Sequence, residues 1–279
     1  MTVVFALASA ILYGVSDFVG GVASRRTSVW PVGLLSCSGS ALGCVIVASL
    51  TRGSPSGSDL LYGAVAGIGA GAGTAFLYRG LAAGRMGVVA PVSGVGAVIV
   101  PLVVAVSSGE RPALIGWVGI VLALPGIWLV SREPVVGRPS TGFVGSGLLD
   151  GVLAGLGFGA LFASLGKVSP DAGYWPLAVA EAVSVVAMAG VAVAVGGDPT
   201  PRRGAELWGL LPGALATCAV VFFVLATRHG LLSISAVISS LYPAFTVLLA
   251  IGVLREHVHR LQAVGLALCA AAVVLVSLA

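Results

Sequence analysis

The sequence predicts an all-α integral membrane protein of ten transmembrane helices, arranged as two inverted five-helix repeats around a central cavity. Three observations predict it. Apolar residues make up 58% of the 279 and charged residues 9%, where a soluble domain would carry about a quarter charged residues. The apolar residues fall into runs of about 20, the length that crosses a bilayer. Two hairpin-like stretches, 90–131 and 236–277, also match without a gap at an offset of 146 positions. Ala90 meets Ala236, Ser93 meets Ser239, Leu102 meets Leu248, Glu110 meets Glu256 and Gly119 meets Gly265.

In chain order the spans fall at about 3–22, 30–50, 59–78, 86–107, 112–131, 144–166, 173–195, 205–227, 231–254 and 260–278, each near the length a bilayer requires. The first begins at once with apolar residues and has no positive leading region, so it is expected to be an uncleaved span rather than a secretory signal. The connections are short. The longest, Arg132 to Thr141, falls midway and divides the chain into a first repeat over 1–131, a linker over 132–143 and a second repeat over 144–279. Five spans per copy is an odd number, so the second copy must enter the membrane from the opposite side. Inverted repeats of this kind are the arrangement with which many carriers alternate access to a central site.

Glycines recur at helical spacing. Gly63, Gly67 and Gly71 line one face of the third span, and Gly147, Gly151, Gly155 and Gly159 one face of the sixth. In lipid, small residues let helix backbones approach and gain dispersion contacts, so these faces are expected to pack the third and sixth spans. The less favoured reading gives them to a substrate path. Prolines at 91, 101, 125, 176, 212 and 243 remove backbone donors and are expected to kink their spans, as suits a protein that encloses a cavity and moves.

Ionisable groups inside spans are costly and mark functional candidates. Asp17 in the first span and Glu181 in the seventh are the strongest, and Asp150 among the glycines of the sixth is a weaker one. Asp17 also has a structural reading as a partner of Arg25 or Arg26. Ser16, Tyr13, Tyr78, Arg79 and Tyr242 join the two acids as candidates for a substrate and proton path. Arg79 and Arg228, at span ends, are placed to pair with an acid or attract an anion. The tyrosines have a bland alternative as interface anchors. Buried carboxyls that take up and release protons near neutrality would suit protons as a coupling ion.

Several functions are set aside by the same residues. The fourteen basic residues are scattered in ones and twos, so no nucleic acid is expected as a partner. Cys37, Cys44, Cys218 and Cys269 lie within spans and show no metal-ligand spacing, and no metal or cofactor is expected. Phosphate-loop, HExxH and GxSxG patterns are missing, so the chain does not read as an enzyme. Ten arginines fall in odd-numbered connections, against four basic residues in the even-numbered ones. The positive-inside rule then places both termini outside the cell.

Four stretches together resemble a known family. They are YGVSDFVGGVASRR, from Tyr13; FLYRGLAAGRMGVVAPVSGVGAVIVPL, from Phe76; GERPALIGWVGIVLALPGIWLVS, from Gly109; and SSLYPAFTVLLAIGVLREHVHRLQAVGLAL, from Ser239. The chain resembles the drug/metabolite transporter superfamily in its ten-helix EamA-like branch. The last hairpin, with Tyr242-Pro243 and Arg255-Glu256, is the most specific stretch. The first copy keeps the family's Gly109-Glu110-Arg111 turn, whereas the second reads Arg255-Glu256-His257. Thirteen residues before the glutamate the second copy has the family's proline, Pro243, and the first has Ala97.

The resemblance implies a basket of helices in the cell membrane and a small-molecule substrate. It also implies secondary transport, often export or exchange, of a metabolite, an amino acid or a drug-like compound. It implies cytoplasmic termini, against the arginine count. A lipid-handling flippase or a non-transporting scaffold is the alternative reading, and a homodimer is left open. The Glu110 and Glu256 turns are expected to be structural ends, with Tyr242 the cavity residue of the final hairpin.

Overall fold

The computed structural model describes residues 1–82, 86–130, 147–254 and 259–278. The 132–143 linker and Glu256 lie outside them. The chain is all-helical: α1 (Thr2–Arg26), α2 (Val29–Leu50), α3 (Gly57–Ala82), α4 (Met86–Ser107), α5 (Leu114–Val130), α6 (Leu148–Leu165), α7 (Trp175–Ala194), α8 (Leu210–His229), α9 (Leu232–Ser239), α10 (Tyr242–Leu254) and α11 (Arg260–Ser277). Eight helical segments are long and apolar enough to cross a bilayer, and the shorter apolar segments Val92–Ser107 and Leu114–Val130 complete ten. Side chains such as Leu61, Ile68, Val103, Val121 and Val186 are exposed around the outside, where lipid would cover them. One face of the molecule carries both termini, and the other, the linker face, carries the α5 end and the α6 start.

The ninth span, expected over 231–254 with a kink at Pro243, is interrupted there: α9 and α10 are separated at Ser240–Leu241. Pro243 has no N–H to give the carbonyl four residues back, and its ring crowds that carbonyl. The chain tightens instead, with Leu241 N donating to Ile238 O at 3.1 Å and Ala244 N to Leu241 O at 2.9 Å. Pro176 and Pro212, expected as kinks, fall in the first turns of α7 and α8, where a backbone donor has no intrahelical partner to lose.

Helix packing shows the duplication. α1 packs on α8, α9 and α10, while α6 packs on α3 and α4. These form two units. α2 and α7 pack on each other between the units, α2 reaching α8 and α7 reaching α3, and α5 pairs with α11. Exchanging the two halves maps α1–α8 onto α6–α3, and α2–α8 onto α7–α3.

Glycines make these approaches close, but not as the spacing suggested. Gly63, Gly67 and Gly71 face α7, where an added Cβ would run into the carbonyls of Pro176, Ala180 and Ser184. The α3–α6 contact is made by their neighbours, with a Cβ on Gly69 meeting Gly157 O at 2.5 Å. Gly151, Gly155 and Gly159 face α4 at Val92, Gly96 and Val100. Gly147 is buried. It precedes α6 at φ 78°, a left-handed conformation that glycine adopts without strain.

Candidate functional site

The two acids most strongly singled out in the sequence, Asp17 and Glu181, lie on α1 and α7. Tyr13 and Asp17 are one turn apart on α1 and so share a face. Tyr242 begins α10 just after the break, and its ring lies 6.3 Å from that of Tyr13. Tyr78 of α3 reaches α1, its hydroxyl 3.3 Å from the place a Cβ on Gly20 would take. Tyr13, Asp17, Tyr78 and Tyr242 are half-buried.

Glu181 is buried at 9% exposure. The Ser184 hydroxyl donates to its backbone carbonyl at 2.8 Å and stands 3.4 Å from its Oε2. Ser40, on α2, also faces this carboxyl, but its buried hydroxyl makes no hydrogen bond of good geometry to a described residue. Asp17 forms neither a hydrogen bond nor an ion pair with any described residue. Among the described residues, Asp17 has no polar partner and Glu181 is met by serine hydroxyls alone; the Arg25 and Arg26 side chains, expected as partners of Asp17, lie outside the described residues.

Three other candidates have structural duties. Arg79 donates through Nε to Asp150 Oδ1 at 2.7 Å and is ion-paired with it through Nη2. Its guanidinium also lies 4.9 Å from the Phe76 ring centroid. The pair braces α3 to α6 within one unit, near the linker face. Ser16, expected on the path, is buried instead and donates to Pro212 O at 2.9 Å, bracing α1 to α8. Arg228 donates to Gly173 O at 2.6 Å and lies 4.9 Å over the Tyr174 ring.

Toward the terminal face the units are joined. Phe162 of α6 meets Tyr13 at 6.2 Å and Phe223 of α8 at 4.6 Å between ring centroids. Glu110, after α4, accepts from Leu232 N at 2.8 Å, Ser233 N at 3.1 Å and Ser233 Oγ at 2.7 Å. It satisfies donors at the start of α9 that would otherwise lack partners, and it does so across the two units. α4 packs on α9 at this face and makes no comparable packing on α10 among the described residues.

Phe162 and two buried acids were missed in the sequence. Asp59 accepts from Ser56 N at 2.9 Å, Ser56 Oγ at 2.6 Å and Ser169 N at 2.8 Å. Glu206 accepts from Arg202 N at 2.6 Å and Arg203 N at 3.0 Å. Each holds the chain just before the third span of its half. A Ser-x-x-Asp pattern at Ser56–Asp59 was the available signal for the first.

A family model matches residues 1–132 and again 145–278, and its description is EamA-like transporter family. The chain belongs to the EamA-like transporter family. This EamA chain is accordingly a membrane transporter of the drug/metabolite transporter superfamily, and members of the family are transporters rather than enzymes. Sixteen chains of solved structure also match it. One crystal structure, 17% identical, superposes with a TM-score of 0.70 over 99% of this chain and 96% of its own. At that identity the likeness carries the fold alone. No curated protein matches the chain significantly.

Proposed function

We propose that the chain is a secondary active transporter that carries a small organic metabolite, amino acid or drug-like compound across the cytoplasmic membrane. It works by alternating access, as an exporter or exchanger, with protons as the coupling ion. The observation that carries this reading is the pair of carboxyls, Asp17 and Glu181, on helices α1 and α7 beside Tyr13 and Tyr242, with no basic partner among the described residues. Intramembrane acids are kept at a cost and serve ion or substrate pathways. Contacts that join the two units at the terminal face support a carrier closed at that end.

A lipid flippase would need a lateral opening rimmed by free basic groups. The engagement of Arg79 by Asp150 and of Arg228 by Gly173 favours the metabolite carrier.

Metabolite profiling of cells with and without the protein identifies the cargo. Flux of that cargo into proteoliposomes is then measured with and without a pH gradient. Gradient-dependent flux is expected, together with impaired flux in folded Asp17→Asn and Glu181→Gln. An unchanged rate without the gradient removes proton coupling, and full activity in both variants removes the acids from the site.

A further inference from the structure

We infer that Glu110 is the latch of the terminal face: its carboxylate holds the carrier closed there, and its release from α9 is a step of opening. This rests on the reading of the chain as an alternating-access carrier. Glu110 follows α4, in the unit of α3, α4 and α6, and the groups it grips belong to α9, in the unit of α1, α8, α9 and α10. Its two oxygens accept from Leu232 N, Ser233 N and Ser233 Oγ at 2.8, 3.1 and 2.7 Å. α4 carries this carboxylate on a fixed end. Gly109 turns the chain at φ 97°, with Gly109 N donating to Val106 O at 3.1 Å and Glu110 N to Ala105 O at 3.0 Å, the pair of bonds that closes a helix C-terminus. Arg111 Nη1 braces the turn through Val106 O at 3.0 Å and Glu110 O at 2.8 Å.

The receiving end is built differently. α9 has Leu231 at its N-cap and no side-chain cap of its own, where a serine or aspartate would satisfy the first donors locally. Those donors are met from the other unit instead, so they are satisfied only while the two units are together. A carboxylate also suits the positive end of a helix. Behind it the closure is apolar: Ala105 of α4, Phe162 and Leu165 of α6, and Leu232 and Ala236 of α9 share one buried cluster. Apolar contacts tolerate sliding, whereas three directed bonds fix α4 against α9 in one register. Opening by the rocking of one repeat against the other must part them. A contact made in one state alone shifts the balance between states by its own free energy.

The test follows Ala236→Cys, at a position wholly buried behind the latch, in the purified full chain with its free cysteines 37, 44, 218 and 269 replaced by alanine. Glu110→Ala is expected to speed its modification by a water-soluble maleimide at least about tenfold, equal to a shift of about 1.4 kcal/mol towards the open state. Glu110→Gln, which keeps one acceptor oxygen, should speed it less. Ala123→Cys, buried in α5 away from the latch, should keep its rate. Leu231→Ser, added to Glu110→Ala, gives α9 a local cap and no bond between units, so it should restore the thermal midpoint and leave the Ala236→Cys rate raised. An unchanged rate in both Glu110 variants overturns the inference. So does an equal rise at Ala123→Cys, or a rate that Leu231→Ser returns to the starting value, which makes Glu110 a cap only. Joining Glu110→Cys to Ser233→Cys with a short bis-methanethiosulfonate should stop cargo flux, and reduction should restore it. Undiminished flux through the joined protein sinks the latch. Absence of cargo flux from the unaltered chain sinks the transport reading alone, because the maleimide rates are read without flux.

Discussion

α4 and the α9–α10 pair occupy matching places in the two repeats, and two adjacent positions among the many that differ set them apart. Gly96 and Ala97 in the first copy stand where Tyr242 and Pro243 stand in the second. In α4 the helix is continuous, Ala97 is fully buried, and a Cβ on Gly96 would lie 2.7 Å from Gly155 Cα. In the second copy the proline ends a helical run, and the tyrosine placed at the break turns its ring toward Tyr13. One copy has spent the position on close packing and the other on the interior. Duplication supplies a symmetric scaffold, and the residues at these two positions separate a continuous helix from a broken one.

Several substitutions would break or sharpen that contrast. The largest effect is expected from Gly96→Val, which forces α4 and α6 apart at a cost of about 3 kcal/mol or more. Little monodisperse protein should survive size-exclusion chromatography. Tyr242→Val at the matching position should leave that elution profile intact. If both fold equally well, the two positions do not differ as described.

Pro243→Ala comes next. It allows α9 and α10 to join, so the protein should unfold at the same temperature or higher while cargo flux falls roughly tenfold or more, as misplaced site groups cause. Glu110→Ala strips the start of α9 of its acceptor and should lower stability by about 1 kcal/mol, as loss of a helix cap does, seen as a lower thermal midpoint. Glu110→Gln keeps one acceptor oxygen and should lose less. Tyr242→Phe is expected to be the mildest. Its ring stays against Tyr13 and only the hydroxyl is lost, so flux should change by less than about threefold.

Much of the fold could be read directly from the residues, because lipid forces backbone groups to pair within each span and so ties span to apolar run. The offset of 146 positions also exposed the duplication. What escaped was which helix each glycine faces. Gly67 and Gly69 both have small neighbours four residues away, and only the assembled bundle sends one to α7 and the other to α6. Of the candidate residues, Tyr13, Asp17, Tyr78, Glu181 and Tyr242 were singled out from their chemistry; Glu181 is buried and the other four are half-buried. Ser16 and Arg79 were indistinguishable from them in sequence, since a hydroxyl or guanidinium does not reveal whether Pro212 or Asp150 will answer it. Asp59 and Glu206 went unnoticed as a pair because their spacing is 147 rather than 146, one residue out of the register that revealed the repeat.

The most direct test of the account is uptake, driven by a pH gradient, of the profiled cargo by proteoliposomes carrying either the unaltered chain or the Asp17→Asn/Glu181→Gln double variant. Matched thermal midpoints serve as the control for folding. Uptake by the unaltered chain and none above empty liposomes by the double variant is the result predicted. Equal uptake by both would contradict a transport site built on those two carboxyls.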